Sequence, residues 1–225
     1  MMEVLHTAAF GLSVSALAYW LGVTIQKKTK IVIFNGLIIA SVLIILMLLA
    51  FDIPYEAYNV GGSVISAFLT PLTVVLAVSI YENLELLKKR LVPVLVGCVV
   101  GSVVATFSGY FLCRLLGMDD VMTMSMLPKS VTTPVALSIS ASKGGLGSIT
   151  AAAVILTGIG GNLVAPILCK IFGAKGPTET GLAIGACSHA VGTARAMEMS
   201  KECGAMSGLA MGLCAIVTSV IALFI

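Results

Sequence analysis

The feature that most restricts this chain is a series of apolar runs close to bilayer length: Val4–Ile25, Ile31–Phe51, Val60–Tyr81, Leu91–Leu112, Ile149–Phe172 and Ala205–Ile225. About 20 such residues cross the hydrocarbon core as a helix. Backbone polar groups in lipid must be satisfied internally, which leaves helical bundles or closed barrels. A barrel strand alternates polar and apolar residues over about ten positions. These runs are longer and continuously apolar, so they favour helices. Composition points the same way. Of 225 residues, 59% are hydrophobic and only 10% charged, against about 25% charged in a soluble domain. That is too little charge to cover a water-facing surface. The chain reads as an all-α, polytopic helical membrane protein whose residues 1–225 form a single membrane domain.

The loops between the first four runs are short. QKKTK, DIPYE and ENLELLKKR separate them, and CRLLGMDD follows the fourth. Lys27, Lys28, Lys30, Lys88, Lys89 and Arg90 fall in the first and third loops, while acidic residues dominate the other two. The positive-inside rule therefore places the N-terminus outside and the two basic loops in the cytoplasm. The opening MMEVLHTAAF lacks the basic region of a signal peptide, so the first run reads as an uncleaved membrane helix. The net charge of +3 comes with no basic stripe of interleaved aromatics, which argues against nucleic acid. Six cysteines form no CxxC pair and lie mostly in apolar runs; they read as small buried side chains rather than disulfides or metal ligands.

The second half has a different texture. Its two clean helices are each preceded by a polar stretch punctuated by Gly or Pro: MLPKSVTTPVALSISASKGG and GLAIGACSHAVGTARAMEMSKECGA. Pro128 and Pro134 each remove a backbone donor, and a residue before proline is pushed out of the α region. The expectation is about six clean transmembrane helices plus two broken or re-entrant segments, 125–145 and 181–204. Residues 1–117 would form a four-helix scaffold and 118–225 a repeat part. The two broken stretches resemble each other, SVTTPVA against SHAVGTARA, each followed by a polar link and a long apolar helix. Such a repeat is a pointer to transporter architecture. If the first stretch is a re-entrant hairpin, the repeat is inverted; if both stretches cross, Lys170 and Lys175 face outside. Charge alone leaves both options open.

Ionisable residues inside membrane segments cost roughly 2.5–3.5 kcal/mol on insertion scales, so the few present are candidates for function. Arg195 stays charged and can grip a carboxylate with two parallel hydrogen bonds. It can equally pair with Glu198, three residues on along a helix. Lys129 can donate to an anion or snorkel to the interface. His189 can relay a proton near neutral pH or sit as a neutral hydrogen-bonding residue at a helix end. The hydroxyls of Ser130, Thr132, Thr133, Ser188 and Thr193 suit a small polar ligand, and half-helix N-termini there would favour an anion. They can also merely satisfy backbone groups freed by the breaks. Asn162, in GIGGN, would face the same cavity, while Gly158, Gly160 and Gly161 read as close-packing positions. No triad, paired carboxylates, HExxH or P-loop is present, so no enzyme, cofactor or metal is expected.

PKSVTTPVA, the SITA link, SHAVGTARA and GAMSGLAM together resemble the LrgB/CidB family. That family includes bacterial inner-membrane proteins and the C-terminal half of the plastidic glycolate/glycerate translocator, and the resemblance covers nearly the whole chain. Gly147 stands where the family pattern has proline, and Cys203 where an acidic residue is common. The resemblance implies two rival functions. One is a holin- or antiholin-like protein that modulates murein hydrolase activity and lysis, often accompanied by a small LrgA/CidA-like membrane partner. The other is a carrier of small monocarboxylates such as glycolate, glycerate or pyruvate. The two broken polar stretches favour this carrier, moving its anion with a proton by alternating access, since a simple lesion-forming pore has no use for them. Either would sit as a homo-oligomer in the bilayer of a bacterial cytoplasmic membrane.

Overall fold

A computed structural model describes residues 6–29, 36–68, 90–174 and 176–225, with isolated residues between 71 and 88. Every element among the described residues is a helix. Contacts divide the chain into Met1–Thr70 and Pro71–Ile225.

In the first unit, α1 (Ala8–Thr29), α2 (Gly36–Ala50) and α3 (Tyr55–Ala67) pack with α1 against both others. Gly11 and Gly61 meet at the α1–α3 crossing, where a Cβ on Gly61 would lie 2.6 Å from the Gly11 Cα. Without side chains there, the two backbones touch, the usual means of helix association in lipid. Ser15 Oγ and Tyr58 Oη, 2.8 Å apart, close the same contact. Gln26 Oε1 accepts from Gly36 N at 2.6 Å and so occupies an orphan donor at the start of α2.

The second unit holds α4 (Leu91–Leu115), α5 (Asp120–Met126), α6 (Thr133–Ser142), α7 (Gly147–Ile171), α8 (Pro177–Met199) and α9 (Lys201–Ala222). α9 is its hub and packs on α8, α4 and α6. Met206, Leu209, Ala210 and Cys214 of α9 join Val94 and Cys98 of α4 in one buried cluster. α4, which the hydropathy pattern groups with the scaffold helices, thus packs on α8 and α9. Its outer face, with Val92, Val96, Val100 and Val104 exposed, is a surface suited to lipid.

Four helices among the described residues are long and apolar enough to cross a membrane: α1, α4, α7 and α9. They match the first, fourth, fifth and sixth expected runs with shifted ends. Asp119 accepts from Met122 N to start α5, and Ser200 accepts from Cys203 N to start α9 at Lys201, ahead of the apolar run. α2, at 15 residues, is apolar but shorter than a span. The expected runs Ile31–Phe51 and Val60–Tyr81 extend into positions outside the described residues. α3 begins at Tyr55 rather than Val60 because Pro54, extended at its N-cap, starts the helix.

The first polar stretch is a helix, a break and a helix. α5 ends at Met126, residues 127–132 turn, and α6 starts with Pro134 in its first turn. A buried hydroxyl network holds the end of this stretch to α7. Thr150 Oγ1 lies 2.9 Å from the Ser125 carbonyl and 2.6 Å from Ser140 Oγ, and Ser125 Oγ accepts from Leu146 N at 2.7 Å. Thr150→Val keeps the shape and leaves the Ser140 hydroxyl without this partner. It is expected to cost about 2 kcal/mol, since an orphaned buried polar group keeps its full desolvation penalty. Thermal unfolding in detergent would read this loss, and an unchanged midpoint would contradict it.

Candidate functional site

The second polar stretch breaks within one residue. His189 has φ 38° and ψ −130°, inside the otherwise helical α8. Only glycine reaches that region without steric cost, and for other residues the strain is of order 1–3 kcal/mol. Two glycines of α7 make room for the distorted turn. A Cβ on Gly158 would sit 2.6 Å from His189 Cε1, and one on Gly161 would sit 2.6 Å from Ser188 Oγ and 2.7 Å from the Cys187 carbonyl oxygen. The close-packing role expected of these two glycines is therefore specific: they admit the break. Pro166, one helical turn past Asn162, has no N–H, so the Asn162 carbonyl lacks its helical donor.

Thr193 ties the second half of α8 down. Its Oγ1 lies 2.8 Å from the His189 carbonyl and 2.9 Å from Ser207 Oγ on α9. By contrast, among the described residues four side-chain polar atoms are buried with no hydrogen-bond partner: Ser102 Oγ, Thr132 Oγ1, Ser188 Oγ and His189 Nε2. Their residues are 4%, 4%, 0% and 3% exposed. The Val154 carbonyl lies near the imidazole without completing a bond to Nε2. Native proteins pair more than nine in ten buried polar groups, and each orphan costs about 1–3 kcal/mol.

These atoms are not scattered. Val131, beside Thr132, packs in one cluster with Val154 of α7 and Ala215 of α9. His189 packs on Gly158, one turn along α7 from Val154. Ser102 of α4 lies beside the thiol of Cys214 on α9, next to Ala215. The two helix breaks thus approach the same stretch of α7, around Val154 and Gly158, and the Ser102 hydroxyl of α4 lies beside α9 at Cys214.

The other expected residues lie elsewhere or in part. Arg195 is 56% exposed and donates to Glu198 at 2.7 Å, the internal pairing of its two alternatives. Lys129 is half-buried and donates to the Ala105 carbonyl of α4 at 3.4 Å, beside Gly109. Ser130, Thr133 and Asn162 are half-buried. Ser102 was not anticipated. Its only sign in the sequence is a serine four residues before Thr106 in an apolar helix, which puts two hydroxyls on one face; both are buried.

Comparison with known proteins gives one consistent answer. The sequence profile of the LrgB-like family matches residues 15–225. The antiholin-like protein LrgB of Bacillus mycoides strain KBAB4 is 37% identical over 216 residues, covering 96% of this chain and 94% of that protein. Its namesake in Bacillus cereus strain B4264 is 36% identical over the same shares. The protein YxaC of Bacillus subtilis strain 168 is 34% identical over 202 residues, 90% and 88% of the two chains. No solved structure matches.

Proposed function

The chain belongs to the LrgB-like family, and from that premise we propose that it is an antiholin-like membrane protein that modulates murein hydrolase activity and lysis. The observation that carries this is near-full-length similarity to relatives bearing that name. In this role the protein sits in a bacterial cytoplasmic membrane with its N-terminus outside, as a homo-oligomer working with a small LrgA/CidA-like partner. Expression in a bacterium deleted for its own copy tests it. Slower detergent-induced autolysis and weaker murein hydrolase bands than in an empty-vector control support the role. Identical lysis curves argue against it.

A second reading rests on a different observation, the unpartnered polar atoms at two helix breaks. An antagonist of lesions needs no such set, whereas a carrier needs a central polar site with access from both sides. In this reading the chain moves small organic anions of the glycolate, glycerate or pyruvate type by alternating access. The segments around 125–145 and 181–204 act as an inverted pair. Ser188, His189 and Thr132 contact the ligand, with Ser130, Thr133 and Asn162 at its margin. Thr193 anchors the break, and Lys129, Arg195 and Glu198 act in another state of the cycle. Saturable uptake of labelled pyruvate or glycolate into proteoliposomes supports this reading. Unsaturable, size-graded leakage of unrelated dyes would indicate a pore instead.

A further inference from the structure

We infer that a ligand anion enters the site together with one proton, and that the proton resides on Nε2 of His189. This rests on the carrier reading and adds how the site balances charge.

The argument begins with what is buried. Three of the four orphaned atoms are hydroxyl oxygens, which are neutral and can each donate one hydrogen bond. The fourth is an imidazole nitrogen. An anion transferred to such a place without a countercharge pays a large desolvation penalty. The fixed cations nearest in sequence do not supply one here. The Arg195 guanidinium is more than half exposed and engaged by Glu198, and the Lys129 ammonium is directed at a carbonyl of α4.

The elements packed against α8 bring five buried thiols, Cys98, Cys113, Cys169, Cys203 and Cys214. Their charges stand only at the helix ends: Arg114 on α4, Lys170 on α7, and Lys201 with Glu202 on α9. On α8 itself, Glu179 is in the first turn, and the exposed Cys187 precedes the break by two residues. The imidazole is therefore the one orphan that can become a cation. While neutral with its proton on Nδ1, the imidazole presents a lone pair at Nε2 to an approaching carboxylate. Protonated, the same atom donates a charge-assisted hydrogen bond, and the Ser188 hydroxyl one residue away can donate a second. The bound pair, anion plus imidazolium, is neutral overall and suited to a low-dielectric setting.

The test uses purified, detergent-solubilised full-length protein in weak buffer near neutral pH, where pyruvate and glycolate are fully ionised. Calorimetry measures binding and a pH-sensitive dye measures proton uptake on mixing. The expected result is about one proton taken up per ligand bound. His189→Gln is expected to abolish uptake and weaken binding at least about tenfold, while eluting as a monodisperse peak. Should that variant not fold, Ser188→Ala and Thr132→Val decide, because both keep the imidazole: binding weakens while about one proton still accompanies each ligand. A Lys201→Ala control is expected to match the unmodified protein. Binding without proton uptake, or uptake that survives His189→Gln, overturns the inference and leaves the carrier reading standing. Failure of every small carboxylate to bind overturns both.

Discussion

Gly158→Leu is expected to lower stability by about 3 kcal/mol, at the upper end of the cost of overpacking a filled interior, and to abolish any uptake of small carboxylates. The Cβ alone would come within 2.6 Å of His189 Cε1 and 3.2 Å of Val191 Cγ2. A leucine adds three more carbons to a place already held by a buried ring. Either the ring leaves its position or α7 and α8 separate, and both outcomes dismantle the break. Thermal unfolding in detergent reads the stability, and proteoliposome uptake reads the function. A leucine variant with an unchanged midpoint would mean that the α7–α8 contact is looser than the structure has it. Gly160→Leu is the matched control, since a Cβ there meets nothing within 4 Å.

Gly61→Leu is expected to be at least as damaging to the first unit, by about 3 kcal/mol or more. A Cβ on Gly61 would lie 2.6 Å from the Ala8 carbonyl oxygen, the Gly11 Cα and the Leu12 nitrogen. All three are backbone atoms of α1, so no rotamer change can relieve the overlap and the helices themselves must part. The Ser15–Tyr58 hydrogen bond is then lost as well. The readout is again the thermal midpoint in detergent. Survival of the native midpoint would rule out the direct glycine contact between α1 and α3.

Much of this architecture was legible because its causes are local. Hydropathy over a window of bilayer length picked out α1, α4, α7 and α9. Pro128, Pro134 and the Ser/Thr clusters marked the first break. Ser188 and His189 each stand out in the sequence, since polar residues in an apolar segment are conspicuous. The ranking within the site was less legible. Arg195 is the most conspicuous residue in the sequence because it cannot lose its charge. In the folded chain, however, a carboxylate one turn away satisfies it at the surface. Ser102 carried almost no signal, since a lone serine in a membrane helix usually bonds back to its own backbone.

The sequence by itself determined that the chain is helical, lives in lipid and has its helices interrupted at two polar places. Each of those outcomes follows from solvent transfer and from the backbone chemistry of a few neighbouring residues. Which polar groups end up paired was decided only by the tertiary structure. Thr193 finds Ser207 and Thr150 finds Ser140, while Ser188 Oγ, His189 Nε2, Thr132 Oγ1 and Ser102 Oγ complete no hydrogen bond. Partnering depends on which helix faces meet. Here that is set by glycines on α7 that admit a distorted turn of α8, and no window of sequence contains both sides of that contact.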